Sequence, residues 1–187
     1  MNIMKKMARA EAPRPVLSTD VLADIDIAAD GADALLARVP DWDGVIRAAA
    51  LAAVAGAGRL PGGRAVEVSI LLTDDDRVSD LNKTHRGKEG PTNVLSFPAL
   101  GGPLPPDPGV PAMLGDVAVA AGVVLAEAEN AGLSPADHLS HLIVHGILHL
   151  MGHDHETDDE AARMEGLEID ILQGLGIANP YEPAGGG

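Results

Sequence analysis

The stretch SPADHLSHLIVHGILHLMGHDH, residues 134–155, constrains the chain more than any other. Ser134 followed by Pro135 supplies an N-cap with proline in the first helical position, so a helix is expected to open there and run to Met151. Within it, His145 and His149 stand four residues apart and therefore project from one face, one turn above the other. Gly152 follows, and glycine is the residue that most readily takes the left-handed conformation that ends a helix and turns the chain back. That reversal can return His155 towards the first two imidazoles.

Three histidines at i, i+4 and i+10 with glycine at i+7 have the ligand spacing of the zinc-protease motif H-E-x-x-H-x-x-G-x-x-H. Three nitrogen ligands and an open fourth position suit a catalytic zinc ion, whereas structural sites are normally closed by four. One zinc ion per chain, held by His145, His149 and His155, is therefore expected. His141 extends the helical stripe, but His141, His145 and His149 span ~12 Å along a straight helix, too far for one ion. His141 is expected to support the site or to pack. His153 shares the turn with His155 and is read as a surface or pocket-lining side chain, while Asp154 could orient a ligand imidazole.

One element of the protease motif is missing. Gly146 stands where the protease has the glutamate that takes a proton from metal-bound water. Chemistry in which a metal and a cation together stabilise developing negative charge depends less on such a base. The segment RVSDLNKTHRGKEGPTNVLSF holds Arg77, Lys83, Arg86 and Lys88 out of thirteen basic residues. Arg86 is the best single catalytic candidate, because a guanidinium can grip a phosphate with two parallel hydrogen bonds. The competing reading is that these are solvated charges favoured at a helix C-terminus.

Composition narrows the partners. No apolar run reaches the ~18–20 residues a spanning helix needs, so no membrane role is expected. The absence of cysteine excludes disulfides, thiolate nucleophiles and sulfur-ligated metals. The start MNIMKKMARAEAPRP lacks the apolar core of a signal peptide, and a cytoplasmic location is expected. A formal charge of −15 argues against indiscriminate binding of phosphates, and one Phe, one Trp and one Tyr cannot stack many bases.

Periodicity and turn residues give an α+β chain. Strands are expected at 21–30, with Val21, Ala23, Ile25 and Ile27 on one face, and at 65–74, 93–100 and 114–121. The second pair is joined by a Pro- and Gly-rich loop and should run antiparallel. Helices are expected at 43–57, 75–85 (capped by Thr73 or Asp74), 121–130, 135–151 and 158–174. This makes a small mixed sheet of about four strands packed with helices, with the histidine site at the end of a central helix. Residues 1–17 and 182–187 read as flexible tails around one metallohydrolase domain at 18–181.

The motifs HGILHLMGHDH (145–155), NKTHRGKEGPTNVLSFP (82–98), GDVAVA (115–120) and NPY (179–181) together resemble the YbeY family. The resemblance runs from about residue 20 to Tyr181. It implies a bacterial zinc-dependent endoribonuclease specific for single-stranded RNA, acting in 16S rRNA 3′-end maturation and in ribosome quality control. Carried over by position, it makes His145, His149 and His155 the metal ligands and Arg86 the arginine of the basic motif. The implied substrate is rRNA on the small ribosomal subunit, with a ribosomal protein or a ribosome-bound GTPase helping so acidic a chain to engage RNA. Two alternatives stand beside this reading: a ribosome-assembly binding protein with structural zinc, and a metalloprotease, which Gly146 disfavours.

Overall fold

Residues 23–58, 60–99 and 104–182 are described by a computed structural model; the expected tail at 1–17, Val21 and residues 183–187 lie outside them. Four strands form one mixed sheet in the order β1-β2-β4-β3. Strand β1 (Ala23–Asp30) runs parallel to β2 (Val66–Thr73), which runs parallel to β4 (Ala112–Ala120). Strand β3 (Val94–Pro98) lies at one edge, antiparallel to β4, as expected. The mixed α+β architecture expected from periodicity is thus present.

Among the described residues six α-helices pack with the sheet: α1 (Asp33–Arg38), α2 (Trp42–Gly56), α3 (Asp75–Arg86), α4 (Ala121–Ala131), α5 (Pro135–Leu150) and α6 (Asp158–Gly174). Five lie within a residue or so of their expected spans. Helix α1, with one buried residue, Leu35, was not among the expected elements. Side-chain caps open three of the helices, the first two as expected. Asp74 accepts the Arg77 N–H at 2.8 Å to cap α3, Ser134 caps α5, and Thr157 with Glu160 forms a reciprocal capping box on α6.

The main core lies between one face of the sheet and helices α2 and α5. Val66, Val68, Ile70 and Leu72 of β2 point into it, at alternate positions of a strand buried by neighbours on both sides. Ala49, Ala50 and Ala53 of α2 are fully buried, and their small side chains let α2 approach α5 closely. On α5, Leu139, Ile143, Ile147 and Leu150 repeat at helical spacing and are wholly buried. Each such side chain contributes about 1.5–3 kcal/mol on burial, against roughly 1 kcal/mol for a cap. The apolar stripe therefore holds α5 in place, leaving its histidine stripe turned outward.

The opposite face of the sheet is only partly covered. Helix α3 packs there through Val78 over Leu95, Ala118 and Ala120. Beyond it, Asp26, Ser69, Arg77, His85, Phe97 and Asp116 line an open cleft of about 480 Å³. Among the described residues no helix is long and apolar enough to cross a membrane.

Candidate metal centre

The end of α5 is built to reverse the chain sharply. Gly152 has φ +90°, its N–H bonds to the His149 carbonyl at 3.0 Å, and the His153 N–H reaches back to Leu148 at 3.0 Å. This pair of crossed bonds is the Schellman arrangement, which satisfies the last carbonyls of a helix and needs a left-handed residue at its corner. Asp154 then accepts the N–H of His155 at 2.8 Å, so it shapes the turn, and no bond joins it to a ligand imidazole.

The reversal brings His155 to the other two histidines. Its ring centroid lies 5.6 Å from that of His145 and 5.0 Å from that of His149. The Nε2 atoms of His145 and His149 are 3.1 Å apart, and one nitrogen from each of the three rings lies within 4.8 Å of the others. In a tetrahedral zinc site with bonds of 2.0–2.1 Å, ligand atoms sit roughly 3.3 Å from one another. The three side chains fit an ion with only small rotations. Burial, then the neighbouring imidazoles of His145 and His155, lowers the His149 pKa, with Asp154 and the His153 backbone opposing. The neutral ring this favours is the form that binds metal.

A carboxylate completes the arrangement behind the histidines. Glu168 of α6 is fully buried, and its Oε1 accepts from His145 Nδ1 at 2.7 Å. Its Oε2 accepts from His141 Nε2 at 3.1 Å and from the hydroxyl of Tyr181. Burial alone would raise this carboxyl, yet hydrogen bonds from His141, His145 and Tyr181 hold it down at about 2. An ionised carboxylate only accepts, so His145 carries its proton on Nδ1 and turns the bare Nε2 towards the other ligands. Burial and then the Glu168 carboxylate raise the Tyr181 phenol, which stays protonated and donates.

His141 thus takes the supporting place expected of it. His153 turns the other way, with Nε2 3.3 Å from the Ala57 carbonyl at the end of α2. His138 pairs with Glu127 at 2.8 Å, which Asn93 also bonds at 3.0 Å, a separate cluster near the start of α5. Glu168 and Tyr181 were missed as site residues. The sequence carried one signal: Glu168 interrupts the apolar stripe Met164, Ile171, Leu172 of α6 with a charge at a core position.

Gly146 faces the sheet. Its carbonyl accepts from Ser96 Oγ at 3.1 Å, and a Cβ built on it would lie 3.0 Å from Val117 Cγ1. A side chain here would enter the packed interface between α5 and β4, so a base at this position requires the side chains of Val117 and Ser96 to give way.

Arg86 is exposed in the last turn of α3. Beside it, His85 packs edge-on against Phe97 of β3, with ring centroids 5.0 Å apart. Ser96, the preceding residue of β3, bonds α5 instead. Adjacent strand residues point to opposite faces, so α3 ends on one face of the edge strand and the histidine helix packs on the other. Of the other basic residues, Lys83 pairs with Glu89 at 2.9 Å and Arg77 lines the open cleft.

The family described as Endoribonuclease YbeY matches residues 46–176. An Endoribonuclease YbeY of Rhodospirillum rubrum is 51% identical over 170 residues, covering 87% of this chain and 84% of that protein. One from Dinoroseobacter shibae is 59% identical over 128 residues, covering 63% and 71% respectively. A solution structure from Thermotoga maritima aligns at 21% identity and TM-score 0.40, over 83% of this chain and 99% of that one. The family match begins in α2 and runs past the end of α6, taking in Arg86, the three histidines and Glu168: the chain belongs to the YbeY family.

Proposed function

We propose that this protein is a zinc-dependent endoribonuclease specific for single-stranded RNA. The observation that carries the reading is the convergence of His145, His149 and His155 around one point at the solvent-facing end of α5. Membership of a family described as endoribonucleases supplies the substrate class. His145, His149 and His155 would hold a zinc ion, which would supply Lewis acidity and lower the pKa of a water molecule. His145 is oriented for this by Glu168, and His149 is kept neutral by its surroundings.

Arg86 contributes by gripping a backbone phosphate of an RNA strand that crosses the edge of the sheet. Arg86 follows His85 on the face of edge strand β3 opposite the histidine helix, an arrangement that suits a flexible single strand wrapping that edge better than a rigid duplex. The domain that does this spans 18–181 and works in the cytoplasm, in 16S rRNA 3′-end maturation and ribosome quality control. A ribosomal protein or ribosome-bound GTPase offsets the charge of −15 when the chain meets rRNA.

A binding module with structural zinc is the second reading, favoured by Gly146, which leaves no side chain to move a proton. Zinc-loaded protein incubated with single-stranded RNA, duplex RNA and casein separates the readings. Cleavage of single-stranded RNA alone, lost in His149→Ala, is expected. Zinc binding without cleavage of any of the three gives the binding module.

A further inference from the structure

A carboxylate at a core position of α6 needs a reason. Met164, Glu168, Ile171 and Leu172 share one buried face, and Glu168 is as inaccessible as Leu172 one turn further on. Burying a charge is costly unless every lone pair finds a donor, and an apolar residue of similar volume would fill the same space more cheaply. Here the charge has three donors from two separate parts of the chain: His141 and His145 on α5, and Tyr181 from the turn after α6. That turn is itself held, with the Tyr181 N–H donating to Asn179 Oδ1 at 2.9 Å.

We propose that Glu168 is a positioning residue for the metal centre, and that Tyr181 locks it. Resting on the metal reading above, the proposal assigns Glu168 two tasks. It fixes His145 as the tautomer whose Nε2 is free for the ion, and it sets a full negative charge one imidazole away from a dication bound by three neutral ligands. Tyr181 and His141 occupy Oε2, so Oε1 cannot rotate away from His145. Carboxylate partners of metal-bound histidines typically change metal affinity by 10- to 100-fold when removed.

The test is zinc affinity measured by competition with a chelator, together with the visible spectrum of the cobalt-substituted protein. Glu168→Gln keeps the shape of the side chain and removes its charge. It should weaken zinc binding by at least 10-fold and shift the cobalt ligand-field bands. Tyr181→Phe, a change at a partly exposed residue, should weaken binding several-fold. Ile171→Val loosens the same buried face of α6 without touching Glu168, and should leave both readouts within twofold of the parent. Unchanged affinity in Glu168→Gln, or an equal loss in Ile171→Val, would overturn the proposal, the latter by showing that α6 packing alone is responsible. If Glu168→Gln does not fold, Tyr181→Phe decides, and parental affinity in that variant overturns the proposal. A parent that takes up no zinc overturns the metal reading instead, and this inference with it.

Discussion

Gly146 of α5 and Val117 of β4 meet so closely that a Cβ on the glycine would sit 3.0 Å from the valine Cγ1, with Ser96 Oγ at 3.3 Å. This contact brings the histidine-bearing helix onto the sheet. Gly146→Glu should therefore destabilise the fold, because it overfills a packed interface and buries a charge there. A loss of roughly 3 kcal/mol, or a fall in Tm of about 6–12 °C, is expected by thermal melting. Casein cleavage should not appear. A stable variant that cuts casein would show that a base can be accommodated here after all.

Gly152 gives a cleaner separation of backbone from ligand. Nothing lies within 4 Å of where its Cβ would be, so any cost of a side chain comes from φ +90° alone. Gly152→Val should cost about 1–3 kcal/mol and lower zinc content by displacing His155. Elemental analysis of this variant beside His149→Ala checks both claims. Full zinc in His149→Ala would move the site elsewhere.

Arg86 is exposed, so its replacement should leave folding and zinc content nearly untouched. If its guanidinium holds the reacting phosphate, Arg86→Ala should lower kcat on single-stranded RNA by roughly 10²-fold, or ~2.7 kcal/mol. Arg86→Lys should recover little, since a point charge cannot copy a two-pronged contact. Parental cleavage by Arg86→Ala would reduce the basic segment to a solvated helix end.

Glu168 should also be visible in acid unfolding of the metal-free protein. Its carboxyl titrates near 2 when folded against an ordinary value of 4.5. Between those values the unfolded chain binds more protons, so the contribution of Glu168 is complete above pH 4.5 and is lost as pH falls towards 2. The effect is on the order of 3 kcal/mol. Glu168→Gln should show a flatter dependence of stability across that window, and an identical slope would contradict the depressed value.

The elements most legible from sequence were those whose local signals agreed. In α5 the Ser134-Pro135 start, the apolar spacing and the Gly152 stop all point to one helix. The convergence of His145, His149 and His155 was legible for the same reason, since a helix and one turn fix its geometry locally. Helix α1 was not legible, because six residues with one buried side chain carry too little periodicity to register. The role of Glu168 was not legible, because its partners lie 27, 23 and 13 residues away and only folding assembles them. Arg86 marks the limit from the other side. Its type and flanking residues suggested phosphate chemistry, but its place across β3 is a property of the sheet that no local pattern encodes.

Tyr181 ties the turn after α6 to the carboxylate that bonds His145, and linkage of this kind works in both directions. If closing the turn favours ion binding, then ion binding must favour the closed turn by the same free energy. The backbone amides of Asn179, Tyr181 and Glu182 should exchange with solvent deuterium more slowly once the centre is loaded. The far end of the chain would then report occupancy, and a protease acting there would distinguish loaded from empty molecules.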